Sequence, residues 1–112
     1  MLEYRYNLVE VLKFIDADTL KVRIGKDVGF GTFITWDIKL RLTKVNCPEK
    51  GTPDHQKAIE FVRNWFNQPG EIIVETAKSQ TFDRWLGTIT RDGINLSDEL
   101  LNENLAVIWK PQ

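Results

Sequence analysis

The sequence is short of the residues that cross-link a fold or cluster around a soft metal. Cys47 is the one cysteine among 112 residues. That excludes an intrachain disulfide and a zinc site built on cysteines. An excess of either charge is also missing: 15 Lys and Arg against 16 Asp and Glu leave a formal net charge of −1. A chain so balanced has no general attraction to nucleic acid or to anionic membranes, so any phosphate binding has to be local. No apolar run approaches the length of a membrane span. The start, "MLEYRYNLVEVLKF", lacks the layout of a secretory signal. The expected compartment is therefore the cytoplasm, with no membrane partner. Repeats, low-complexity segments and linkers are absent as well.

What is there reads as one soluble domain over residues 1–112, expected to be a monomer. Hydrophobic residues make up 42% of the chain and charged residues 28%, and shorter domains already fold without staples. Leu8 to Ile15 is apolar and β-branched enough for a first strand. "TLKVRI" follows the Asp16-Ala17-Asp18 turn, with Leu20, Val22 and Ile24 alternating against Lys21 and Arg23. The glycine-rich "GKDVGFG" reads as a hairpin connection. Ile34, Trp36, Ile38, Leu40 and Leu42 then form the longest alternation, which sets Asp37, Lys39 and Arg41 on the opposite face. Trp36, Trp65 and Trp85 fall in apolar patterns and read as core.

Thr52-Pro53-Asp54 has the order of an N-cap, a first-turn proline and a first-turn acid. Ala58, Phe61, Val62, Trp65 and Phe66 follow at helical spacing, so one face is apolar. "EIIVET" and "RWLGTIT" read as two further strands joined by "AKSQTFD". "SDELLNENLA" reads as a short helix with Ser97 as its cap and Asn104 in the left-handed position at its end. Three strands, a helix, two strands and a helix predict an α+β, mainly β fold. It is a five-stranded barrel of the OB type, with one helix inserted between strands three and four and a short C-terminal helix.

Polar residues gather at the strand ends. Asp16 and Asp18 close the first hairpin. Arg41, Asn46 and Glu49 surround the kink "NCPE", where Pro48 ends any strand. Arg84 opens the fifth strand. A hard cation such as calcium takes carboxylate, amide and backbone oxygens, which Asp18, the Asn46 side chain and the Cys47 carbonyl can supply. Arginine presents a fork that matches phosphate, and a carboxylate such as Glu49 can orient or deprotonate a water. Each has a plainer reading: Asp-x-Asp-Thr is common in turns, a lone arginine on a strand is usually surface, and His55 near a helix start is usually a surface or capping residue.

Taken in order, "DADTLKV", "RLTKVNCPE", a capped amphipathic helix, "RWLG" and "NLSDELLNENLA" resemble the staphylococcal (thermonuclease) nuclease family. The resemblance runs from about Val11 to Pro111. It implies calcium-dependent hydrolysis of phosphodiester bonds in DNA or RNA. Asp18, Asn46 and Cys47 (through its carbonyl) would then serve the metal, and Arg41, Glu49 and Arg84 the chemistry. Asn46 stands where the family often has Asp, which implies lower metal affinity. Phe82 stands where the family has a substrate-binding tyrosine, and Trp109 is a candidate to stack on a base. The competing expectation is an OB module, weak or inactive in catalysis, that binds single strands or a protein partner. Both arginines occupy polar positions near strand ends, so replacing either with alanine is expected to change stability little.

Overall fold

In the computed structural model, Tyr4–Trp109 are described apart from residues 82–83, with side chains left out of the description for 77–84. The elements are β1 (Tyr4–Asp16), β2 (Thr19–Gly29), β3 (Thr32–Leu42), β4 (Val45–Asn46), α1 (Pro53–Phe66), β5 (Ile72–Thr81), β6 (Arg84–Arg91), β7 (Ile94–Asn95), α2 (Leu96–Asn102) and β8 (Val107–Ile108). The five long strands are those expected. They run in the order β3-β2-β1-β5-β6, and a parallel pairing of β3 with β6 closes the ring. Closure rests on three residue pairs, Leu40↔Trp85, Arg41↔Leu86 and Leu42↔Gly87. Glycine is needed at the last of them, because a Cβ on Gly87 would overlap the Glu75 carbonyl and the Leu40 side chain. The fold is thus a mainly β, closed five-stranded barrel of the OB type, with α1 inserted after the third long strand.

The interior is built from the alternation. Leu20, Val22, Ile24, Leu40, Leu42, Val74 and Ile89 are buried within it. Helix α1 lays Ala58, Ile59, Val62 and Trp65 against this core, with Phe61 and Phe66 half-buried beside them. Ile59 joins the face expected from the spacing. Helix α2 seals its part of the barrel with Leu96 and Leu100. Ala17 is fully buried in the β1–β2 turn. It is not among the residues with positive φ, so alanine fits this turn without strain.

Three expectations need correction. Thr52 precedes α1 as expected, but its side chain makes no cap bond; its hydroxyl donates to the Glu49 carbonyl at 2.7 Å instead. Asn95, not Ser97, caps α2. Asn95 Oδ1 accepts from the N–H groups of Ser97 and Asp98, and the buried Ser97 hydroxyl donates to the Thr43 carbonyl at 3.0 Å. Trp36 is not core: it is 44% exposed, beside Ile34 at 40%. The β2–β3 hairpin runs past the end of the barrel, so the inward face of its outer half is covered only in part. Asn104, by contrast, has φ +58° at the end of α2, the left-handed position expected of it.

Candidate functional site

The β1–β2 turn and the segment after β3 meet at one end of the barrel. Leu42 N–H donates to the Asp18 carbonyl at 2.8 Å, which ties the two together. Past Leu42 the chain reverses sharply. Lys44 takes φ +74°, and Val45–Asn46 then pairs with Val107–Ile108 as a two-stranded ribbon. This reversal folds over the outward face of β3 at Arg41. The result is a cleft of about 480 Å³ lined by Asp16, Asp18, Thr19, Arg41, Asn46, Cys47, Pro48, Glu49 and Lys50. It gathers Asp18, Arg41, Asn46, Cys47 and Glu49, residues that the sequence pointed to from two separate stretches.

Arg41 lies on the face that the alternation assigns to it, yet it is only 6% exposed. Its Nη1 donates to the carbonyls of Leu42 and Val45, both at 2.8 Å, and its Nη2 donates to Asn46 Oδ1 at 2.6 Å. Asp18 Oδ2 stands 3.6 Å from Nη1. The Trp109 ring covers the guanidinium, 4.7 Å from Cζ to the ring centroid. Trp109 is held there by its N–H bond to the Lys44 carbonyl. Arg41 therefore staples the reversal together, and the expectation that it is separable from the fold does not survive this geometry. Three of its five N–H donors are committed. Among the described residues nothing accepts from Nε or from the second Nη2 hydrogen.

Asp18 is buried and held on both oxygens. Oδ2 accepts the Cys47 N–H at 2.8 Å, and Oδ1 accepts the Thr19 hydroxyl at 3.1 Å. A carboxylate has about four lone-pair sites, so each oxygen keeps capacity for a further partner. Asn46 and Glu49 are exposed at the cleft. The Cys47 thiol is half-buried, and its pKa is pushed up to about 12. Burial is the main cause and the nearby Asp18 charge adds to it, with Arg41 opposing. The thiol thus stays protonated and inert at neutral pH.

His55, set aside in the sequence, comes back to the margin of this site. Its Nδ1 lies 3.1 Å from the Pro48 carbonyl and 4.0 Å from Asp16 Oδ1. A carbonyl only accepts, so Nδ1 donates in this contact. No sequence pattern signalled this contact, which depends on how the start of α1 packs beside the first turn.

Arg84 begins β6, one residue before the partner of Leu40. Its side chain is outside the described residues, and so is Phe82. Among the described residues no three His, Cys, Asp or Glu side chains form a metal-ligating group. Apart from the protonated Cys47 thiol, the donors at the cleft are oxygens: the carboxylates of Asp16, Asp18 and Glu49 and the amide of Asn46. That chemistry fits a hard cation, with the Arg41 charge beside Asp18 as its competitor. No helix among the described residues is long and apolar enough to cross a membrane. The chain matches no protein-family model, and no curated protein matches it.

Proposed function

We propose that the protein is a calcium-dependent nuclease that hydrolyses phosphodiester bonds of DNA or RNA, as its resemblance to the staphylococcal nuclease family implies. One observation carries the reading. Oxygen donors from Asp18, Asn46 and Glu49 share a single open cleft with the Arg41 guanidinium. A cation site next to a phosphate fork is the pairing that phosphodiester hydrolysis needs. Asp18 and Asn46, with the Cys47 carbonyl, would hold the cation. When bound, calcium supplies charge stabilisation for the transferring phosphoryl group.

The chain's own residues divide the remaining work. Arg41 directs its uncommitted N–H groups at a phosphate oxygen and strengthens that contact as charge builds on phosphorus. Glu49, exposed at the cleft, orients a water and accepts its proton. Arg84, at the start of the strand paired with β3, is the candidate second phosphate donor.

A barrel that binds single strands or a protein partner without cutting is the second reading. It is favoured by how far Arg41 is committed to Leu42, Val45 and Asn46 beneath the Trp109 ring. Digestion of supercoiled plasmid and of labelled DNA and RNA single strands, each with calcium and with chelator, tests the two. The nuclease reading expects cutting with calcium alone, and a fall of about 10²–10⁴ in rate for Glu49→Gln. Equal cutting in both lanes removes calcium from the mechanism. Binding without cutting in either lane supports the second reading.

A further inference from the structure

Strand β3 is hydrogen-bonded to β2 along its length, but to β6 only at Leu40, Arg41 and Leu42. Among the described residues, Thr32 to Lys39 therefore present an unpaired strand edge. Natural edges are blunted with charge, proline or a bulge. This one has none of these from Thr32 to Trp36, where the sequence reads "TFITW". The nearest bulge is on β2, between Asp27 and Gly29. The same residues are exposed: Phe33 at 49%, Ile34 at 40% and Trp36 at 44%. Phe33 lies across Gly25 on one face, where a Cβ would overlap its ring. On the other face Trp36 meets Tyr6 edge to face, with centroids 5.7 Å apart. A stiff, uncharged edge built of β-branched and aromatic residues is a template for strand addition.

We infer that the exposed edge of β3 pairs antiparallel with the same edge of a second copy of this chain, about a twofold axis at Thr35. In a shared sheet, residues directly opposite must point to the same face, so the axis falls on a residue. Charge narrows the choice, and the cross-strand pairing of Ile34 with Trp36 makes it. An axis at Asp37 or at Lys39 would set like charges face to face. An axis at Thr35 sets Asp37 opposite Phe33 of the second copy and Lys39 opposite Gly31, with no like charges opposed. It also sets Ile34 of each copy opposite Trp36 of the other, covering the exposed apolar side chains of that face.

A second copy fits better than a nucleic acid, because charge on this edge is balanced. Asp37 is already tied to Arg23 by a bond of 2.8 Å. With aromatic side chains offering about 150–250 Å² each, the exposed fractions of Phe33, Ile34 and Trp36 come to roughly 250–300 Å² per copy. That is well under the ~800 Å² per partner of a standard interface, so the dimer is weak and reversible. Trp36 lies five residues from Arg41, about 16 Å along the strand, so pairing leaves both clefts open. The dimer does not depend on the proposed activity.

Sedimentation over a concentration series tests it. Wild type passes from monomer to dimer with rising concentration. Ile34→Lys and Trp36→Glu, at exposed positions, stay folded by circular dichroism and each weakens self-association at least tenfold. Mixed in equal amounts, they associate again, because this register sets the new Lys opposite the new Glu and leaves one native Trp–Ile pair. Amide exchange of Thr32 to Trp36 in wild type slows as concentration rises. A wild type that stays monomeric at several hundred micromolar, or edge amides indifferent to concentration, overturns the dimer. A mixture that fails to associate overturns the register.

Discussion

Replacing Arg41 with alanine is expected to destabilise the fold, whatever it does to activity. The guanidinium fills the reversal between Leu42 and Asn46 and donates to two main-chain carbonyls there. Its loss strands the carbonyls of Leu42 and Val45 and removes the cation beside Asp18. Breaking a buried ion pair from one side costs about 3–5 kcal/mol. Asp18 keeps the Cys47 N–H and the Thr19 hydroxyl, which soften the loss of its partner. Asn46 is exposed and can turn to water. Both considerations place the cost near the lower end, about 3 kcal/mol.

For 112 residues, an unfolding entropy of about 2.1 cal/mol/K per residue gives ~0.24 kcal/mol/K. The midpoint should then fall by roughly 13 °C. Thermal melts, with urea titrations to establish that the m-value is unchanged, measure this directly. Arg41→Lys should fall between the two, since one ammonium keeps the charge but cannot hold both carbonyls and Asn46 in a planar fork. An alanine variant that melts within about 3 °C of wild type would refute the stapling role. It would restore the picture of an arginine free for phosphate alone. If the loss is as large as expected, activity of Arg41 variants has to be assayed well below their own midpoints.

Asn46→Asp should raise calcium affinity by about one to two decades, because it would add a full charge at the proposed ligand position with little change in size; superimposable calcium titrations of the two proteins, followed by melting, would remove Asn46 from the proposed metal site. Because Arg41 already donates to Asn46 Oδ1, the new carboxylate has a cation beside it, which offsets its repulsion with Asp18 when calcium is absent. The Cys47 thiol should react slowly with a disulfide reagent at pH 8 and quickly once urea unfolds the chain; equal rates would place the thiol at the surface. Its folded pKa of about 12 lies above the unfolded value, so its contribution to stability is fully present below about pH 8.5 and is lost as pH rises towards 12. Cys47→Ala should flatten that alkaline decline, which urea titrations between pH 8 and 11 would measure.

Strands β2 and β3 were legible because Leu20, Val22 and Ile24, and Ile38, Leu40 and Leu42, share one dry face that period two records directly, whereas β1, bulged at three places, shows no clean alternation and is read from its apolar, β-branched composition. The alternation does not say where the barrel ends. Trp36 and Ile34 continue the same pattern as Ile38, Leu40 and Leu42, yet they lie beyond the cover that the rest of the molecule supplies. Arg41 fails in the opposite sense. Its face was read correctly, but the chain folds back over that face through a left-handed Lys44 and two short pairings. A two-residue strand such as Val45–Asn46 is too short to carry a period. The α2 cap was missed by two residues because Asn95 and Ser97 are both good capping types. Only the packing of Ser97 against the Thr43 carbonyl decides between them.

The grouping of the candidate site residues in one cleft was legible for a different reason, and only as a set. Asp-x-Asp-Thr, an arginine on a strand and Pro-Glu before a helix are each commonplace, and each has a structural use here. Asp18 anchors the Cys47 amide, Arg41 staples the reversal, and the Glu49 carbonyl receives the Thr52 hydroxyl. Structural use does not exhaust them. Asp18 retains lone pairs on both oxygens, Arg41 retains two N–H groups, and the Glu49 carboxylate stands exposed at the cleft. Under the proposed nuclease activity, such double employment would fix the direction of a reacting group by the same bonds that hold the fold, lowering the cost of ordering it when substrate arrives. On that proposal, mutating Arg41 or Asp18 would not separate activity from stability. Among the described residues the Glu49 carboxylate has no partner in the fold, so its replacement is the cleaner test of the proposed chemistry.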